Sequence, residues 1–298
     1  MEQLGISAIH PHAPEILSAS ALFSAPFDLG AAVERLSQYW GVSVSPTWDH
    51  VDAAGVAGAA VQVPNNPGDP EAEESAGARG GGDILHFSLQ GVEVMMTPMN
   101  APLSLAKGAL PEHSFYVPIT LFAPMARASG GVLAGENHAS TEEIPEVKAR
   151  RRMMSAHIVL TQVADVLMRE PAAVGLFRPE LGVVQPPQMV TELSETLTKG
   201  EVPLPLWVNV RIQQAASGVT AGRTLGMPLF GHLELEIADS PHTPEDVYSV
   251  IANTANYVMT SSAYLLPGQT LGAPDGTSVN VTQVESIFDK QPVIRIDY

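Results

Sequence analysis

Cysteine is absent from the 298 residues of this chain. Its absence excludes disulfide bonds, thiolate metal ligands and a cysteine nucleophile, and it is compatible with any compartment. Long apolar runs are also missing, because no stretch reaches the roughly 18 apolar residues that indicate a membrane-spanning helix. The segment Met1–Ile6 has no basic cluster followed by an apolar run, so no signal peptide is predicted. We therefore expect a soluble cytoplasmic protein.

Basic side chains are scarce. The chain has 15 lysine and arginine residues against 32 aspartate and glutamate residues, which gives a net charge of −17. Nucleic-acid binding needs a positive field to neutralise phosphates, so we expect no nucleic-acid partner. Anionic membrane surfaces are disfavoured for the same reason, and we expect no membrane partner. A surface this acidic is suited to steering a basic protein partner.

Three helices are predicted from capping residues and apolar spacing. The segment Asp28–Gly41 has an N-cap aspartate, one continuous apolar stripe and a glycine where a left-handed C-terminal cap belongs. A long helix is predicted from Pro145 to about Glu170, because proline at the first turn loses no hydrogen bond. Thr243 precedes a proline and two acids, which together indicate the start of a third helix.

Alternating apolar and polar residues predict two strands in the last third, Leu206–Gln213 and Phe230–Ile237, around a glycine-marked turn. Such alternation buries one face of a sheet and leaves the other face hydrated. Earlier in the chain, Ile84–Gln90 and Val92–Thr97 are predicted to pair as a hairpin around Gly91. These elements predict an α+β fold of mixed, largely antiparallel sheets with packed amphipathic helices, and two related subdomains are a further conjecture.

The predicted domain organisation is an N-terminal α+β subdomain at 1–135 and a C-terminal α+β subdomain at 136–298. Residues 64–83 contain an acidic cluster and three consecutive glycines but few apolar residues. They are therefore predicted to form a mobile loop. One continuous domain is the alternative organisation.

Three segments of the last third carry a resemblance to a known family: Leu204–Val208, Thr224–Met227 and Phe230–Ile237. They resemble the bacterial family known as domain of unknown function 4261. The order of elements around His113–Phe122 and Pro171–Phe177 also resembles that family. The resemblance implies a mixed α+β domain and carries over no catalytic residues.

His232, Glu234 and Glu236 are the strongest chemical candidates, because alternate positions place all three on one face of a predicted strand. Three such side chains can converge on a divalent ion or pair a base with an acid. Asn209 and Arg211 of the neighbouring predicted strand complete this candidate binding set. A hydrated sheet surface, with Arg211 opposite a glutamate, explains the same pattern without any activity.

Two other groups of residues have alternative interpretations. Arg150–Arg152 is a basic run on a predicted helix, where three consecutive residues splay around the axis. We expect salt bridges to the protein's own acids, or one or two arginines binding a carboxylate or phosphate. Met95 and Met96 suit either core packing or an adaptable partner surface.

No Gly-x-Ser-x-Gly, Gly-x4-Gly-Lys-Ser/Thr or His-Glu-x-x-His motif occurs in the chain. We therefore predict a non-catalytic protein-interaction module of adaptor or immunity type, without a cofactor or a bound metal. The alternative prediction is a metal-dependent hydrolase that uses the polar face of strands 206–213 and 230–237.

Overall fold

The computed structural model describes residues 16–51, 82–105, 108–122, 145–261, 263–272 and 276–298. The helices are α1 Leu29–Glu34, α2 Leu36–Trp40, α3 Pro145–Met168, α4 Pro187–Ser194, α5 Leu204–Trp207 and α6 Pro244–Thr260. The strands are β1 Ile16–Phe23, β2 Thr47–Val51, β3 Gly82–Leu89, β4 Val92–Met96, β5 Phe115–Phe122, β6 Ala173–Arg178, β7 Val183–Gln185, β8 Asn209–Gln214, β9 Thr220–Leu225, β10 Glu234–Ser240, β11 Thr270–Gly272, β12 Ser278–Glu285 and β13 Pro292–Ile296. The fold is α+β, as predicted.

The chain forms two compact units, each containing one sheet. The seven-stranded unit includes described residues of 18–122 and 159–192, and the six-stranded unit includes those of 16–17, 145–158 and 193–298. Each unit is therefore built from more than one stretch of the chain. The reason is that β6 pairs antiparallel with β1, for example Phe177 with Ser20, and so returns to the N-terminal part of the chain.

The seven-stranded sheet has the order β2-β3-β4-β5-β1-β6-β7. The hairpin of β3 and β4 confirms the predicted turn, with Gln90 and Gly91 both at positive φ. Residues 64–81 of the predicted mobile loop lie outside the described residues, whereas Gly82 and Asp83 already belong to β3. The predicted boundary between residues 135 and 136 also lies outside the described residues.

The predicted helix at Asp28–Gly41 is present as two pieces, α1 and α2. The Asp28 carboxylate caps the start by accepting a hydrogen bond from the Ala31 N–H at 2.9 Å, and Gly41 ends it in the left-handed region. Arg35 separates the pieces, because its N–H bonds Ala32 O with the tighter 3-10 spacing.

The six-stranded sheet has the order β11-β12-β13-β10-β9-β8. The β10–β13 pair is parallel, and the other described pairs are antiparallel. The chain passes from β10 to β13 through α6 and the β11–β12 hairpin. Thr243 caps α6 as predicted, since its hydroxyl accepts a hydrogen bond from the Asp246 N–H at 3.2 Å.

Two predictions about the last third are wrong. Leu204–Trp207 forms a helical turn, α5, with proline in its first turn, so the strand begins only at Asn209. The strands at 206–213 and 230–237 are also not neighbours, because β9 lies between β8 and β10. Among the described helices, none combines the length and the apolar composition needed to cross a membrane.

Candidate functional site

One face of the six-stranded sheet is covered by α6. Val247 and Ile251 of α6 join Ile237 of β10 in a buried apolar cluster. Gly222 of β9 allows this close approach, because a Cβ at that position would lie only 2.7 Å from Ile251 Cδ1. Arg211, Arg223, Glu236 and Arg295 lie on the opposite face.

A row of charged residues crosses that opposite face. Arg211 of β8 pairs in register with Arg223 of β9, which in turn pairs with Glu236 of β10. Glu236 pairs on its other side with Arg295 of β13. Directly paired residues share a face, with Cβ atoms about 5 Å apart. The topology therefore places three arginines and one glutamate in a single row, with Arg223 and Arg295 on the two sides of Glu236.

Glu236 is completely buried and fully hydrogen-bonded. Its carboxylate accepts hydrogen bonds from Arg295 Nη2 and Ser286 Oγ, each at 2.5 Å. The Ile287 N–H donates a third at 3.2 Å. A buried charge is tolerated only when it is paired and its remaining lone pairs are satisfied, and Glu236 meets both conditions.

Glu236, Arg295 and Ser286 form a charged network, which Arg223 extends to the loop between β12 and β13. Arg223 Nη1 donates to Ser286 Oγ at 3.0 Å and lies 2.7 Å from Asp289 Oδ2. Burial raises the pKa of Asp289, but hydrogen bonds from Arg223 and the Gln291 N–H, with the arginine charge, hold that pKa below its ordinary value of 3.8. Asp289 is therefore ionised at neutral pH and ties the loop to the sheet.

The anchored segment is the β12–β13 loop, residues Ser286–Gln291. Its ends are joined by a hydrogen bond from the Ser286 N–H to Gln291 O at 2.8 Å. The Phe288 N–H donates to Ser286 Oγ at 3.1 Å. Despite this dense bonding, the side chains of Ile287 and Phe288 are 44% and 39% exposed. The loop is thus a fixed support for two adjacent apolar side chains.

Glu234 lies in a separate buried environment, at the connection from β9 to β10. Its carboxylate accepts hydrogen bonds from the Thr224 hydroxyl at 2.6 Å, the Gly226 N–H at 2.8 Å and the Met227 N–H at 3.3 Å. Burial raises its pKa from 4.5 to about 7, although these three donors and Arg223 act in the opposite direction. The carboxyl group holds together the turn that precedes β10.

His232 is also buried, and both of its ring nitrogens are used. Nδ1 donates to Leu233 O at 2.6 Å, and Nε2 accepts a hydrogen bond from the Leu265 N–H at 3.3 Å. Burial lowers the pKa of His232 from 6.5 to about 4, against the Leu233 hydrogen bond, and the nearby Arg150 charge adds to this lowering. The imidazole is therefore neutral at pH 7 and connects two backbone segments.

Arg150 of α3 is buried rather than paired with a surface acid. Its guanidinium donates to Phe230 O at 2.9 Å, Val258 O at 3.1 Å and Ala263 O at 2.6 Å, and it lies 4.0 Å from the centre of the Tyr264 ring. Burial lowers its pKa. The expectation of a salt bridge is wrong for Arg150, because carbonyls at the end of α6 bind its charge.

The prediction that the five candidate residues share a hydrated face is wrong. His232, Glu234 and Glu236 are buried, and each has its own set of partners. Arg211 is exposed and lies opposite Arg223 rather than a glutamate, and Asn209 is half-buried at the start of β8. Within the described residues, no group of three or more histidine, aspartate and glutamate side chains could hold a metal ion.

The sequence predictions did not include the partners of Glu236. Arg295 and Ser286 are separated from it by 59 and 50 residues, and their positions carry no local pattern that links them to β10. Only the pairing of β10 with β13 brings them together. Arg223 and Asp289 were missed for the same reason.

Comparison with known proteins finds a family match for the C-terminal part of the chain. No curated protein and no solved structure matches the chain. Residues 223–297 match the model of the family described as a domain of unknown function (DUF4261). This segment contains Arg223, Glu234, Glu236, Ser286, Asp289 and Arg295. The resemblance to domain of unknown function 4261 is therefore confirmed over β9 to β13, the part of the chain that contains the charged network.

Proposed function

We propose that this protein is a non-catalytic protein-interaction module of adaptor or immunity type. The observation that supports the proposal is the β12–β13 loop, which exposes Ile287 and Phe288 side by side. Adjacent apolar side chains on a fixed backbone are suited to inserting into a pocket of another protein. Interface hot spots have this composition, with a few large anchors supplying most of the affinity.

The buried network beneath the loop supports the same function. Burying an ion pair such as Glu236 and Arg295 generally adds little net stability, because desolvation offsets the attraction. The network instead holds the loop backbone at defined positions through Ser286 and Asp289. A loop already ordered before binding loses less conformational entropy when a partner docks. The network thus preorganises the two apolar anchors.

The partner of this loop is a protein, and the charge of the chain favours a basic one. The net charge of −17 creates a field that attracts positive surfaces over a distance of about one Debye length. Such steering raises the association rate, whereas the apolar anchors limit dissociation. The partner should therefore combine an apolar pocket with a positively charged surround.

The test is purification of the tagged protein from its native cells with and without anchor substitutions. We expect a stoichiometric partner to copurify with the unchanged protein and to be lost from Ile287→Ser and Phe288→Ser. The matched control is Tyr257→Ser, which removes a similarly exposed apolar side chain from α6 of the same unit. Equal recovery from all variants, or repeated recovery of the protein alone, would overturn the proposal.

One observation favours the alternative, a metal-dependent hydrolase on strands 206–213 and 230–237. A carboxyl group whose pKa is raised to about 7, as in Glu234, is suited to general acid–base catalysis. The geometry gives the alternative less support, because Glu234 and His232 use their polar atoms on nearby backbone groups. Elemental analysis of the purified protein, repeated for His232→Ala, tests it: a stoichiometric metal that this substitution removes is its expected result.

A further inference from the structure

A second surface lies in the seven-stranded unit, on the outer face of β2 to β5. An open depression of about 410 Å³ occupies this face. Its lining includes Asp49, Ile84, His86, Glu93, Met95 and Phe122. The opposite face of the same strands is buried, with side chains such as Leu85 and Met96 inaccessible to solvent. The depression is therefore on the side of the sheet that faces away from the core.

The floor of the depression is partly apolar. Met95 and Phe122 are 36% and 37% exposed there, although their strands already contribute their alternate residues to the core. Exposed apolar surface beside charged residues is typical of a contact surface. Met96 is buried, as core packing requires, whereas Met95 is exposed and does not pack in the core.

The register of β4 and β5 places a carboxylate beside an aromatic ring. Glu93 pairs directly with Phe122, so their Cβ atoms lie about 5 Å apart on the same face. A guanidinium suits both groups better than an ammonium does, because its plane stacks on a ring while its edge donates two hydrogen bonds to a carboxylate. Asp49 adds a second acid to the lining, where it lies 3.0 Å from His86.

Elsewhere in the same unit, a guanidinium is already bound by an aromatic ring and a neighbouring carboxylate. The Arg169 guanidinium lies 4.6 Å from the centre of the Tyr39 ring. It also pairs with the Asp165 carboxylate, with Nε and Nη2 at 3.0 Å and 2.9 Å from Oδ1. An aromatic ring and an adjacent carboxylate therefore bind a guanidinium in this protein, and Phe122 and Glu93 present the same two groups to the outside.

We propose that the depression binds an arginine-bearing segment of a partner protein, with the guanidinium on the Phe122 ring and paired with Glu93. The apolar stem of the arginine lies along Met95, and neighbouring apolar side chains of the segment cover Ile84. The acidic lining and the net charge of −17 select a basic segment. This surface does not include the β12–β13 loop. The proposal for the depression therefore stands whether or not that loop binds a partner.

The test uses a defined probe, a fluorescein-labelled nine-residue peptide with two arginines among serine and leucine residues. Fluorescence anisotropy compares it with the same peptide carrying citrulline, the neutral isostere of arginine, or lysine. We expect the arginine peptide to bind at least about tenfold more tightly than the citrulline peptide, with lysine between them. Phe122→Leu and Glu93→Gln should each weaken the arginine peptide by about threefold to tenfold.

The matched control is Glu34→Gln, which removes one exposed acid from α1 of the same unit and should leave binding unchanged. Equal affinity for the arginine and citrulline peptides, or equal binding by Glu93→Gln and the unchanged protein, would overturn the proposal. Self-association in sedimentation experiments that Glu93→Gln abolishes would also overturn it, by assigning the depression to a second copy of the chain. Should Phe122→Leu fail to fold, Glu93→Gln alone decides.

Discussion

Replacement of Glu234 by glutamine removes a buried titration while keeping the shape of the side chain. The native carboxylate accepts hydrogen bonds from the Thr224 hydroxyl and from the N–H groups of Gly226 and Met227. Burial opposes ionisation, whereas these donors favour it, and the balance raises the pKa of Glu234 from 4.5 to about 7. Glu234→Gln therefore reports directly which of the two influences is larger.

Proton linkage gives the direction in which the Glu234 contribution to the free energy of unfolding changes with pH. Because the folded state binds the Glu234 proton more tightly than the unfolded state, protonation of Glu234 stabilises the fold. This stabilisation is fully present below about pH 4.5. It is lost as the pH rises through about 7. The rise from 4.5 to about 7 corresponds to about 3 kcal/mol, since one pKa unit is about 1.4 kcal/mol. Glutamine does not titrate and lacks this dependence.

His232 titrates with the opposite sign in the same range. Its pKa is lowered from 6.5 to about 4, so its contribution is present above about pH 6.5 and is lost as the pH falls through about 4. The two contributions nearly cancel in the unchanged protein, whose own pH profile therefore isolates neither residue. The difference between the unchanged protein and Glu234→Gln cancels the His232 contribution and isolates Glu234.

The assay is urea unfolding of both proteins at half-unit steps of pH, with the free energy of unfolding extrapolated to water. The free energy of the unchanged protein minus that of Glu234→Gln should fall by about 3 kcal/mol between about pH 4 and about pH 8. A difference that stays constant, or that rises with pH, would refute the reasoning. It would mean that the three hydrogen-bond donors outweigh burial.

Three further substitutions test the packing of the six-stranded unit, each by urea unfolding. Gly222→Ala should lower the free energy of unfolding by about 1–3 kcal/mol, because the new Cβ would lie 2.7 Å from Ile251 Cδ1. The control Gly272→Ala, where a Cβ would have nothing within 4 Å, should leave the free energy nearly unchanged. Equal effects of the two substitutions would contradict the contact. Arg150→Met should lower the free energy of unfolding by about 3 kcal/mol or more, because three carbonyls, two of them in buried hydrogen bonds, lose their donor. A neutral result would show that water replaces the guanidinium. Thr243→Ala should cost about 1 kcal/mol through loss of the α6 cap, and an unchanged midpoint would argue against that hydrogen bond.

Local chemistry in the sequence predicted the elements that depend on near neighbours. The cap at Thr243, the positive-φ turn at Gly91 and the helix end at Gly41 all involve groups within a few residues of each other. The apolar face of β10 was also predicted correctly, because Leu235 and Ile237 are buried. Period-two alternation identifies which residues share a face, and this information is local.

The state of the other face depends on distant residues and could not be predicted. Alternation in β10 is equally compatible with hydrated glutamates and with glutamates that meet an arginine from another strand. Glu236 is buried because Arg295 lies on the strand beside it, 59 residues away. Leu206 and Trp207 were assigned to a strand because the alternation that follows them fits one, whereas Pro205 in the first turn of α5 favours the helix.

The parallel pairing of β10 with β13 also sets the order in which the six-stranded sheet assembles. Strand β13 occupies the interior of the sheet, yet it follows β10 by more than a whole helix and a hairpin. In a nascent chain that has emerged only as far as β12, the β11–β12 pair and the β8–β9–β10 strands have no hydrogen-bonded strand between them. The carboxylate of Glu236 also still lacks Arg295. Late closure of this kind makes the sheet slow to complete, and it makes Pro292–Ile296 the segment whose deletion would split the sheet through its middle.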